Sequence, residues 1–329
     1  MAVSSRQDMR KSGMKTAKQT TLGEQVSVTG VGVHSGLPVT LTLHPADPNT
    51  GIVLPRPAGA GRDREVKAEY HSVTATELAT VLGDNQGKLV STAEHVLAAL
   101  RGLDVDNAVV ELDGPEVPIM DGSAAAFVTA IDQAGIVSLN APRRYIKILK
   151  PVRVAKDDAF GEFRPYARGF RVEVEIQFEC PLIGRQTLAT DVTDGNFRSE
   201  LCRARTFGFM KDVSGLWSAG YALGASFENT LVISEDRILN PGGLRYRDEF
   251  VRHKALDAVG DLALAGAPIL GAYRSVRGGH RLNHAVLVAL MSDRSAWTLT
   301  EADPAQTQRR ARGHADVSTV APAYGPDVS

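Results

Sequence analysis

YRDEFVRHKALDAVGDLALA, residues 246–265, has helical periodicity around nearly its whole circumference. At roughly 100° per residue, His253, Asp257 and Asp261 fall on one narrow strip, with Lys254 beside it. Val251, Ala255, Leu256, Ala258, Val259, Leu262 and Ala263 occupy most of the remaining arc. So wide an apolar arc marks a buried helix and aims the polar strip at a pocket. A solvated charged face is the alternative reading of such a stripe.

Outward from this helix, the chain reads as two runs of similar element order. Alternating strands at 25–31 and 37–43 flank a Gly-rich hairpin turn at 32–36, and weaker strand signals continue to about 81. Residues 91–94 open a helix that Gly102 closes, 107–112 is a strand, and 123–133 is a helix capped by Ser123 and stopped by Gly135. The second run has strands at 145–154 and 170–178, helical stretches over 195–223 and a strand at 230–233. The 246–265 helix, a strand at 269–276 and a helix at 282–291 complete it. The shared order predicts an α+β fold of two similar halves, 20–140 and 141–300, with a site between them. Residues 1–19 read as a disordered N-terminal tail and 301–329 as a flexible C-terminal tail.

Composition narrows the function. With 37 Lys+Arg against 38 Asp+Glu, the net charge of -1 leaves no global basic field for nucleic acid or an anionic membrane. Cys180 and Cys202 are too few for a disulfide framework, which fits a reducing cytoplasm. The longest apolar run, 262–273, is interrupted by Gly266, Pro268 and Gly271 and is too short to span a membrane. No heptad run asks for a dimer, so a monomer is expected.

His253 and Asp257, one helical turn apart, can chelate a metal ion, and a catalytic zinc site needs a third donor. His95 stands out on a short apolar helix directly after Glu94, as where zinc hydrolases place a general base beside a ligand. Ser91-x-x-Glu94 reads equally well as a capping box. His280 follows Gly278-Gly279 at the start of the last helix, placed to protonate a leaving amine, with Asp261 as its charge partner. A lone histidine there also fits an ordinary structural side chain. No GxSxG elbow favours a serine hydrolase.

Several long motifs then occur in order: TGVGVHSG at 29–36, STAEH at 91–95, PIMDGSA at 118–124, RARTFGF at 203–209 and DEFVRHKALD at 248–257, followed by Gly260-Asp261 and Gly279-His280. With these the chain resembles the bacterial UDP-3-O-acyl-N-acetylglucosamine deacetylases, zinc amidases of lipid A synthesis, from about residue 20 to 290. The resemblance implies Zn2+ held by His95, His253 and Asp257, with Glu94 as general base. It implies that Thr206 stabilises the oxyanion, His280 is the acid or electrostatic partner, Asp261 orients His280, and Lys254 lies in the active site. Phe207, Phe209, Met210, Val213, Phe227 and Val232 match positions that line an acyl passage. Lys254, Arg277 and Arg144 are candidates for the substrate's diphosphate, although the flanking basic residues depart from the family pattern. The implied fold is two β-α-α-β halves with helices packed between sheets and zinc between the halves.

Overall fold

The structure is a computed structural model that describes residues 17–55, 65–84 and 87–301. It is a mixed α+β fold built on two main sheets. One has five strands in the spatial order Val26–Val31, Pro38–Pro45, Ala108–Leu112, Ile52–Pro55, Glu65–Lys67. The predicted hairpin is its first pair, with Val31 opposite Pro38 and Val26 opposite Leu43. The other has seven strands around Ile269–Val276, which pairs antiparallel with Ala159–Arg164 and parallel with Phe170–Gln177. A smaller sheet, Phe207–Phe209, Leu231–Ser234 and Arg237–Ile238, stands apart from both.

The helices are α1 (Glu94–Gly102), α2 (Ala125–Ala134), α3 (Asp194–Asn196), α4 (Val213–Ser218), α5 (Glu249–Ala263) and α6 (His280–Ser292). α2 lies on Val26–Val31, α5 on Phe170–Gln177, and α6 on the hairpin Val152–Lys156/Ala159–Arg164. α1 and α5 pack along one another. Small residues allow it: a Cβ on Gly260 of α5 would lie 2.0 Å from the backbone oxygen of Glu94 at the start of α1. That contact carries the start of α1 to the middle of α5's polar strip. His253, Asp257 and Asp261 are 2%, 2% and 1% exposed, which excludes the solvated-face alternative.

Several expectations need correction. The 195–223 region holds helical stretches as read, at 194–201 and 210–218, but they are short and the strand Phe207–Phe209 stands between them. Three residues are too few to show a strand period, and their parallel partner, Leu231–Ser234, comes from farther along the chain. The 145–154 strand is two, Tyr145–Ile148 and Val152–Lys156, because Pro151 has no N–H to continue the ladder. α5 starts at Glu249 rather than 246, since its carboxylate accepts from Arg205 N, Nε and Nη2 and from Arg245 N, fixing the preceding turn. α2 begins two residues after Ser123, whose hydroxyl accepts from Ala125 N. Lys18 and Gln19, read as part of the N-terminal tail, belong to the strand Lys18–Leu22, paired with Ile136–Pro142. Residues 1–16 and 302–329 lie outside the described residues. No helix is long and apolar enough to cross a membrane among the described residues.

Candidate metal centre and active site

α5 supplies His253 and Asp257, and α1 supplies His95 from across the helix pair. One ligand atom from each lies within 4.8 Å of the others, and all three residues are buried. His95 Nε2 is 3.7 Å, and His253 Nε2 3.3 Å, from Asp257 Oδ1. His253 Nδ1–H donates to Ala204 O at 3.0 Å, which leaves Nε2 with its lone pair toward the cluster. Burial pushes the pKa of His253 down to about 3, so the ring is neutral. Burial works against ionisation of Asp257, yet the charge of Lys254 helps to hold its carboxyl well below the usual carboxylate range. Lys254 Nζ donates to Asp257 Oδ2 at 3.0 Å. Asp257 Oδ1, by contrast, is buried with no hydrogen-bond partner. A buried anionic oxygen left bare between two imidazoles fits a dication, and two nitrogens with one carboxylate oxygen suit zinc.

Glu94, 3% exposed, immediately precedes His95 in the chain. The capping-box expectation fails: Glu94 Oε2 accepts from Thr80 N at 3.0 Å, and Ser91 N donates to Pro115 O instead. Ala93 caps α1 without a side-chain bond. Glu94 Oε1 lies 3.8 Å from His280 Nε2. Burial pushes the Glu94 carboxyl up, against the pull of His280 and His95. His280 Nδ1–H donates to Asp261 Oδ2 at 2.9 Å, and its Nε2 lies 3.9 Å from Asp257 Oδ2. Burial opposes charge on this imidazole, but Asp261, Glu94 and Asp257 outweigh it and push its pKa up to about 10.

Since that shift is upward from 6.5, folding gains from the protonated ring. The contribution is complete below pH 6.5 and is lost as pH rises through about 10. We expect the thermal midpoint of the metal-free protein to fall between about pH 7 and about pH 10. His280→Gln should flatten that segment of the curve. An unchanged slope in the variant would assign the fall to other groups.

Thr206 is anchored through its backbone, its N–H donating to Gly122 O at 2.8 Å and its carbonyl accepting from Leu231 N at 2.8 Å. Its hydroxyl makes no hydrogen bond among the described residues. Phe207 stacks edge-on against Phe250 at 5.0 Å and faces His253 at 6.3 Å, with Lys254 Nζ 5.7 Å from its ring. Phe207 and Phe209 share the inner face of the small sheet, both meeting Phe178. Val232 pairs with Gly208 on the opposite face. Met210 and Phe227 are exposed, and Val213 starts α4. Arg277 lines a cavity of about 770 Å³ with Lys156, Arg281 and His280, its guanidinium 3.4 Å from Asp158. Arg144 is elsewhere, beside Asn49 in a different cavity.

Two residues in this region were not singled out from sequence. Glu116, 2% exposed, accepts from His34 N, Ser35 N and the Thr92 hydroxyl, fixing the 32–36 turn. Gly32 leaves room for that carboxylate, since a Cβ there would lie 2.2 Å from Glu116 Oε2. The glycine spacing of that motif was the available signal. Thr80 carried none.

Two imidazoles and a carboxylate, beside a buried Glu–His pair, define a metal-dependent hydrolase. The model of the LpxC family, UDP-3-O-acyl N-acetylglycosamine deacetylase, matches residues 19–292, and the chain belongs to that family. Proteins named UDP-3-O-acyl-N-acetylglucosamine deacetylase from Brucella ovis, Brucella canis and Brucella melitensis are each 54% identical over 287 residues, covering 87% of this chain and 99% of theirs.

Proposed function

We propose that the chain is a zinc-dependent deacetylase that hydrolyses the N-acetyl group of UDP-3-O-acyl-N-acetylglucosamine. Its products are UDP-3-O-acyl-glucosamine and acetate, the committed step of lipid A biosynthesis. The observation that carries this is the buried His95–His253–Asp257 cluster with Glu94 and His280 beside it, in a member of the deacetylase family. His95, His253 and Asp257 hold the ion. When bound, zinc supplies Lewis-acid polarisation of the acetamide carbonyl and lowers the pKa of water toward ~7.

Glu94 takes the proton from the attacking water, its Oε1 left open by the bond that Thr80 makes to Oε2. His280 and His95 beside it pull against the upward push of burial on this carboxyl. The free Thr206 hydroxyl donates to the developing oxyanion. His280, held by Asp261, presents a protonated Nε2 to the leaving nitrogen or to the developing charge. Lys254 fixes Asp257 and adds positive charge at the site.

The 3-O-acyl chain runs over the small sheet and its flanks, along Phe207, Phe209, Met210, Val213 and Phe227, with Val232 reached only on the sheet's other face. The cavity at Arg277, where Lys156, Arg277 and Arg281 outnumber Asp157 and Asp158, takes the diphosphate. The division at about residue 140 belongs to the same reading: 20–140 bears α1 and α2, 141–300 bears α5 and α6, and the centre lies where α1 meets α5. The enzyme acts in the cytoplasm as a monomer.

Acetate release from the acylated substrate is the test, using protein as prepared, after chelation, and after one equivalent of zinc is returned. Activity that disappears and recovers is expected. Turnover that survives complete metal removal would overturn the zinc assignment, and none by zinc-loaded protein would overturn the substrate.

A further inference from the structure

We propose that Thr80 is the positioning residue that sets the separation between Glu94 and His280. The proposal rests on the reading of those two side chains as the proton-handling pair. Thr80 is 2% exposed and sits just before the strand Val81–Asp84. Its N–H donates to Glu94 Oε2 at 3.0 Å, and its carbonyl accepts from Ala93 N at 3.2 Å. Its hydroxyl donates to Asp261 Oδ1 at 2.5 Å. Asp261 Oδ2 in turn accepts from His280 Nδ1 at 2.9 Å and from Asn283 Nδ2 at 2.8 Å.

All three polar groups of one residue are thus committed to the two flanks of the site. A threonine that needed only to satisfy its hydroxyl has nearby backbone carbonyls to use. This one reaches Asp261, 181 positions away in sequence. The β-branched side chain has few χ1 states, so backbone and hydroxyl form one stiff bracket. On one side the bracket leaves Glu94 Oε1 open. On the other it fixes the carboxylate that orients His280, and the two meet with Oε1 and Nε2 3.8 Å apart.

Removing the hydroxyl alone loosens this spacing without touching substrate or metal, so the loss falls on kcat. Thr80→Val keeps the shape, and Thr80→Ser keeps the hydroxyl. We expect T80V to lower kcat by about 10- to 100-fold, with KM and bound zinc within about twofold of the parent protein. The downfield proton resonance of His280 Nδ1–H should move in T80V and return in T80S, which should also recover most of kcat. A role confined to stability would instead lower the thermal midpoint and leave kcat and that resonance at their original values. If valine prevents folding, Thr80→Ala supplies the hydroxyl-free comparison. Unchanged kcat in the hydroxyl-free protein, beside normal turnover by the parent, overturns this proposal alone. No acetate from the zinc-loaded parent overturns the deacetylase reading and this proposal with it.

Discussion

Glu94→Gln should release acetate about 10²–10⁴ times more slowly than the parent protein while keeping its zinc. The substitution is close to isosteric, and the amide oxygen of glutamine can still accept from Thr80 N. His95, His253 and Asp257 are untouched, so metal content should stay at one equivalent. The neutral amide takes no proton from water. Stability should rise slightly or hold, because burial already disfavours the Glu94 carboxylate. Turnover near the parent rate, with zinc bound, would remove Glu94 from the role of base.

Gly260→Ala should be equally damaging without altering any polar group. Its new methyl would lie 2.0 Å from Glu94 O and 2.7 Å from Glu94 C. Both are backbone atoms, so the strain cannot be relieved by a rotamer and α1 must move. Overpacking of this kind costs ~1–3 kcal/mol, and a shift of about 1 Å at a catalytic group costs on the order of 10² in rate. Because His95 follows Glu94, zinc affinity should fall together with kcat. Gly195→Ala, whose Cβ meets nothing within 4 Å, is the matched control. Measured zinc dissociation constants and urea midpoints for the pair decide the matter: equal values would mean that α1 and α5 have slack at this crossing.

The legibility of the sequence followed the range of the interactions. α5 was readable because its apolar arc and polar strip are a local period, and two donors one turn apart belong to that period. The hairpin over 26–45 was readable for the same reason. His95 could be picked out as a donor on an apolar helix, but its meeting with His253 depends on the glycine contact across two helices, which no periodicity records. Glu94 showed the limit of a local motif: the capping spacing is present, yet its carboxylate is taken by Thr80, fourteen residues earlier. The strand Phe207–Phe209 was missed because its pairing partner, not its own pattern, makes it a strand.

The small sheet bearing Phe207 and Phe209 lies outside the two main sheets, with Phe207 tied inward to Phe250. Met210 and Phe227, at 40% and 48% exposure, bury too little for their replacement to matter much to folding. The residues proposed to hold the metal and to handle protons are, by contrast, buried. Under the proposed function, substitutions at Met210 and Phe227 would therefore change the acyl group accepted while leaving the buried groups in place, whereas Phe207, packed against Phe250 and His253, ties the passage to the site.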